Sequence, residues 1–173
     1  MSVPLHRHVN GLVGNFAAEH GELDLISRRV DCSADAYEGI LETFERFGII
    51  GGAGIRVRRD DRLLVVQYTG SDGWVDPGDH RHLGETYREC AKRSVTEATG
   101  IEATIDGLSQ IHLIYMDDWT DREPIPNPYL SFHGRYRSGT TRSGRGVRSV
   151  QWMSDLSDEV LLYNELKEHP LGE

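Results

Sequence analysis

Glu85, Glu89, Arg93 and Glu97 follow one another at intervals of four, and Gly100 stands three residues after the last of them. Side chains four apart stack on one face of an α-helix. The run therefore reads as a helix from Gly84 to about Thr99, with an acid, acid, base, acid ladder along one side. Gly100 is the residue type that most often ends such a helix. The chain enters it through Trp74-Val-Asp-Pro-Gly and leaves it into an extended segment around Ala103–Met116. A helix set between strands needs a sheet to cover its apolar side, which points to mixed α+β architecture.

The rest of the chain extends that reading. Gly51-Gly-Ala-Gly leads into strand-like Ile55-Arg-Val-Arg, and the turn Arg59-Asp-Asp leads into Arg62-Leu-Leu-Val-Val-Gln-Tyr, so the pair reads as a hairpin. Further extended segments fall at Tyr129–Arg137 and Val147–Met153, and a last helix runs from Ser154 or Asp155 to about His169, before Pro170. Near the start, Ser33 is a good N-cap for a helix from Ala34 to Phe47. Tyr37, Ile40, Leu41, Phe44 and Phe47 form one apolar stripe on it, expected to pack on the chain's own core. The expected fold is a mixed β-sheet sandwiched between α-helices. Residues 1–50 form an N-terminal helical extension packed on a main domain of residues 51–173.

Composition narrows the class of function. The net charge is −9, and among 19 basic residues only Lys92 and Lys167 are lysines. An acid-rich, lysine-poor composition suits a protein kept hydrated in concentrated salt, or else reflects a GC-rich genome that favours arginine codons. The overall field repels polyanions, so general nucleic-acid binding is not expected. No apolar run approaches a membrane span, and the first residues lack the apolar stretch of a signal peptide, which makes the cytoplasm the expected location. Cys32 and Cys90 match no zinc spacing and read as buried or idle thiols rather than a disulfide.

The segment from Gly78 to Ile101 resembles the Nudix box, whose pattern is G-x5-E-x7-R-E-U-x-E-E-x-G-U with U aliphatic. Asp79 takes the opening glycine position, Glu85 the first glutamate, Arg93 the arginine and Val95 the aliphatic place. Glu97 is the first of the paired glutamates, and Gly100-Ile101 close the motif. Asp79, Ser94 and Ala98 depart from the pattern, the last two standing where the family has glutamates. The flanks agree as well: Trp74-Val-Asp-Pro-Gly resembles the strand that enters the box, and Leu83-Gly-Glu-Thr the opening of its helix. The resemblance covers roughly residues 50 to 169. It implies the Nudix fold and cleavage of a diphosphate linked to another group. In that chemistry magnesium neutralises phosphate oxygens and activates the attacking water.

On that resemblance Glu97, Arg93 and Glu85 are the catalytic candidates, with Glu97 and the backbone carbonyl near Gly78 as candidate ligands for Mg2+ or Mn2+. Hard cations need carboxylate oxygens, and two of the three helix acids are missing. Restoring them at positions 94 and 98 is expected to rebuild a cation site beside Glu97. Glu85 and Arg93 read as a pair that holds the loop on the helix. His80 and His82 are either loop histidines or ligands for a softer metal. Trp74, Trp119 and Tyr129 are candidates to stack on a base, against core or loop-anchor roles. Asp118 or Glu123 could supply a further carboxylate, and Glu165 another ligand, each against plain surface exposure.

Two functions stay open on the sequence. One is a divergent Nudix-type hydrolase of a nucleoside diphosphate linked to another moiety. The other is a catalytically silent Nudix domain that binds a nucleotide-like ligand or a protein. The expected partner is a small-molecule nucleotide-diphosphate ligand, with no nucleic acid and no membrane, and a homodimer stays open.

Overall fold

Ser33 and Thr86 start two of the helices by the same device. In the computed structural model, which describes residues 2–21, 23–71 and 73–154, the Ser33 hydroxyl accepts from the Ala36 N–H at 3.0 Å. Helix α2 (Ala34–Phe47) follows and ends at Gly48. The Thr86 hydroxyl accepts from the Glu89 N–H while the Glu89 carboxylate accepts from the Thr86 N–H, each at 3.1 Å. This capping box opens α3 (Tyr87–Thr99). The helix therefore begins three residues later than the spacing suggests, and Gly84-Glu85 stays in the entry loop. There the Glu85 carboxylate is free to bond across to the helix.

Ahead of α2 lie helix α1 (Ser2–His20) and strand β1 (Asp24–Asp31). After it come β2 (Gly52–Arg59), β3 (Arg62–Tyr68) and the short β4 (Gly78–His80). β5 (Ile101–Asp117), β6 (Ile125–Gly139) and β7 (Val147–Met153) follow α3. The sheet order is β1-β5-β6-β2-β3-β7, with β4 against β2. β1 runs parallel to the second half of β5, from Asp24 opposite Gln110 to Asp31 opposite Asp117. The first 50 residues thus lend a strand to the sheet as well as two helices. Paired charges, Arg28-Arg29, break the alternation that would have marked that strand in the sequence. The expected last helix, with Glu165, lies outside the described residues.

Tyr87, Cys90, Ala91 and Val95 of α3 pack on Ala53, Ile55 and Val57 of β2 and on Leu130 and Phe132 of β6. Phe16 of α1 joins this cluster and meets the Tyr87 ring edge-on at 6.1 Å. A second cluster joins Leu5 and Val9 of α1 and Tyr37 and Ile40 of α2 to Ile114, Met116, Ile125 and Tyr129. Tyr37, Ile40, Leu41 and Phe44 of the α2 stripe thus pack within their own chain, while Phe47 at its end is exposed. The sheet, with helices packed on it, is the α+β arrangement expected from the sequence. Among the described residues no helix is long and apolar enough to cross a membrane.

Candidate functional site

Arg93 is the centre of the loop–helix unit. Its Nε donates to Glu85 Oε2 at 2.6 Å and its Nη2 to Glu85 Oε1 at 3.0 Å. Nη1 donates to Asp79 Oδ2 at 3.2 Å and to Glu97 Oε2 at 3.0 Å, and Nη2 also reaches the His80 carbonyl at 2.8 Å. Three carboxylates from the strand, the entry loop and the helix thus converge on one guanidinium. Its planar fork suits this role, because it can serve several acceptors at once. Glu85 also accepts the His82 N–H at 2.7 Å. Burial pushes the Glu85 carboxyl up, but the Arg93 bonds and the His82 N–H outweigh it and hold it below the usual carboxylate range. The sequence pairs Glu85 with Arg93 but misses Asp79, whose only signal is that it stands in a position the motif reserves for glycine.

The positions of the missing acids face inward. Ser94 is 2% exposed, and its hydroxyl donates to the Cys90 carbonyl at 2.6 Å. Ala98 is 7% exposed and packs with Val66, Val75 and Val147. Glu97 is exposed and bonded to Arg93. The Gly78 carbonyl, the other candidate ligand, accepts the Tyr68 hydroxyl at 2.9 Å, and the Gly78 N–H donates back to that hydroxyl at 3.1 Å. No group of three or more His, Cys, Asp or Glu able to hold a metal occurs among the described residues, so His80 and His82 join none. Magnesium needs several oxygen donors around one point. The residues present do not fit it: two ligand positions carry no carboxylate, a third oxygen is already engaged, and the remaining acids bind Arg93.

A loop seals the end of α3. The Arg142 N–H donates to the Thr99 carbonyl at 2.9 Å and the Gly144 N–H to the Ala98 carbonyl at 3.0 Å. These bonds satisfy carbonyls that a helix C-terminus leaves without partners. Gly144 lies so close that a Cβ there would sit 1.8 Å from the Glu97 carbonyl oxygen. Nothing in the motif points to this loop, because it comes more than 40 residues later in the chain.

Tyr129 adjoins the site from inside the core, while Trp119, Asp118 and Glu123 lie elsewhere. Tyr129 is 4% exposed, and its hydroxyl fills the space beside Gly54 and Gly78. Trp74 is half-buried. Trp119 is 67% exposed, at a left-handed φ of 58°. Its indole N–H donates to Asp31 at 2.5 Å, and the Arg29 guanidinium lies 5.0 Å from its ring centre. Asp118 binds Arg122, and the Glu123 carbonyl accepts the Tyr37 hydroxyl at 2.5 Å. Trp119, Asp118 and Glu123 therefore gather where β1 and α2 meet the end of β5. Glu97 is at the other end of that 17-residue strand, which at 3.3 Å per residue amounts to about 50 Å of chain.

A family model described as the NUDIX domain matches residues 50–163. A MutT-like protein of Streptomyces ambofaciens is 31% identical over 108 residues, which span 62% of this chain and 64% of that protein's length. A crystal structure of a NUDIX hydrolase from Nitrosomonas europaea shares the fold at a TM-score of 0.53 and 15% identity, covering 71% of this chain and 74% of that one. A second NUDIX hydrolase structure from the same organism does so at 0.51 and 21%, covering 72% and 83%. With the box, its Arg93-centred loop and the surrounding mixed sheet in place, the chain belongs to the Nudix family.

Proposed function

We propose that this Nudix domain recognises a nucleotide-diphosphate-type ligand without cleaving it by the family's metal-assisted route. The observation that carries this reading is the closure of the cation site. Ser94 and Ala98 are buried in contacts of their own, and the Gly78 carbonyl is bonded to Tyr68. The scaffold that presents the site is kept, since Arg93 still ties Asp79, Glu85 and Glu97 together. A cytoplasmic role on a small molecule goes with this reading.

The convergence of those three carboxylates favours a second reading, a divergent hydrolase in which a cation displaces Arg93 from Glu97. One experiment separates the two. The protein is incubated with a panel of nucleoside diphosphates linked to sugars, nucleosides or phosphates, with Mg2+ or Mn2+, at low and molar KCl. No turnover above background is expected. Metal-dependent turnover that disappears in Glu97→Gln would establish the hydrolase instead.

A further inference from the structure

We infer that the loop from Thr140 to Gly146 is an anion-recognition element, holding the diphosphate of a small-molecule ligand through Arg142 and Arg145 without a divalent cation. The inference rests on the non-hydrolytic reading above and names how its ligand would be held. In metal-assisted chemistry a cation screens the phosphate from the carboxylates beside it. Here Glu97 and Asp79 remain, so a diphosphate at this helix would meet repulsion unless another cation took that part.

The loop carries two such cations and is fixed to the last turn of that helix. Gly144 is pressed on Glu97 and Ala98, the turn of α3 that carries the surviving acid of the paired glutamates. The Arg142 side chain lies against Gly100 at the end of the same helix. Arg142 and Arg145 are exposed, with no ion pair among the described residues. Arg29, Arg46, Arg56, Arg93, Arg122 and Arg135, by contrast, are all paired with acids. The sequence around the loop is also electrostatically distinct. From Pro124 to Ser154 there is no Asp or Glu, while five arginines occur, in a chain whose net charge is −9. The local field therefore favours anions where the overall field repels them. Two backbone N–H groups fix the loop to α3, so the backbone that carries its arginines is ordered before a ligand arrives, which lowers the entropy lost on binding.

The competing role for these arginines is to offset the negative end of the α3 dipole. Calorimetric titration of the full chain with inorganic pyrophosphate in excess EDTA distinguishes them. Saturable binding without metal is expected, weakened at least about tenfold in Arg142→Ala/Arg145→Ala, since each charge-assisted contact is individually strong. Arg142→Lys/Arg145→Lys should recover part of it. Arg58→Ala/Arg62→Ala, at the hairpin tip, should bind like wild type. Thermal melts confirm that each variant is folded. Three results overturn the inference: no binding in EDTA, equal loss in the hairpin variant, or a loop variant that loses stability but binds pyrophosphate unchanged. Metal-dependent hydrolysis by the wild type would instead remove the non-hydrolytic reading, a separate outcome of a separate assay.

Discussion

Arg93 and Glu85 are joined by two near-parallel bonds, of 2.6 and 3.0 Å, across the boundary between entry loop and helix. Both side chains are largely buried, so removing one leaves the other charge poorly solvated. Arg93→Ala should destabilise the protein by roughly 2–3 kcal/mol. Hydrogen exchange should accelerate across residues 78–86, because Asp79 and the His80 carbonyl lose the same partner. Unchanged protection there would reduce Arg93 to a surface charge.

Ser94→Glu with Ala98→Glu is the direct test of the closed cation site. Sequence spacing alone expects this pair to rebuild metal binding beside Glu97. The structure points the other way, because both positions are buried and Gly144 bears on the turn between them. Burying two unpaired carboxylates should cost more than about 3 kcal/mol. Denaturant melts should show that loss, and Mg2+ should not restore it. A double variant that regains wild-type stability on adding Mg2+ would mean that the loop yields and the family's cation geometry survives beneath it.

Gly78 and Gly54 both adjoin the Tyr129 hydroxyl, but differently. A Cβ at position 78 would lie 1.9 Å from that oxygen, with the next atoms at 2.9 and 3.0 Å. At position 54 it would lie 2.2 Å from the oxygen and 2.4 Å from the Pro77 carbonyl, which is backbone. Each glycine-to-alanine change should destabilise by about 1–3 kcal/mol through overpacking. Tyr129→Phe should relieve Gly78→Ala in part and leave Gly54→Ala unrelieved. Equal rescue of both in a double-mutant cycle would contradict this packing.

His112 is 4% exposed, with its Nε2 3.0 Å from Gln110 Oε1 and its ring edge-on to Tyr129. Burial, and secondarily the nearby Arg28 charge, lower its pKa from the ordinary 6.5 to about 4. The folded protein keeps the ring neutral while the unfolded chain takes up a proton below 6.5. Stability from this residue is therefore complete above pH 6.5 and declines as pH falls toward 4, by at most about 3 kcal/mol. His112→Gln should flatten the stability profile in that window relative to wild type. Parallel profiles would show that folding does not lower the His112 pKa.

High KCl should raise the melting temperature, since screening relieves repulsion within a chain of net charge −9. A melting temperature that falls steadily from low to molar salt would reject the high-salt reading of the composition.

Local chemistry made much of this protein legible in its sequence. Ser33 and Gly48 bound α2 as expected, because capping depends on the residues at the helix ends. The Glu85–Arg93 pair was legible because motif spacing fixes which side chains a loop can bring to a helix. The same spacing identified Ser94 and Ala98 as departures. What it could not determine is the surroundings of those two positions. Tyr68 reaches Gly78 from ten residues earlier, and Gly144 reaches Ala98 from 46 residues later. Such contacts exist only once the sheet brings distant strands together. For the same reason Trp119, Asp118 and Glu123, plausible companions of Glu97 by composition, ended at the far end of β5: side-chain type does not encode which end of a long strand a loop occupies. The sequence determined the scaffold and the residues missing from it. Only tertiary packing decided that the space they left is filled, because filling it depends on contacts between segments far apart in the chain.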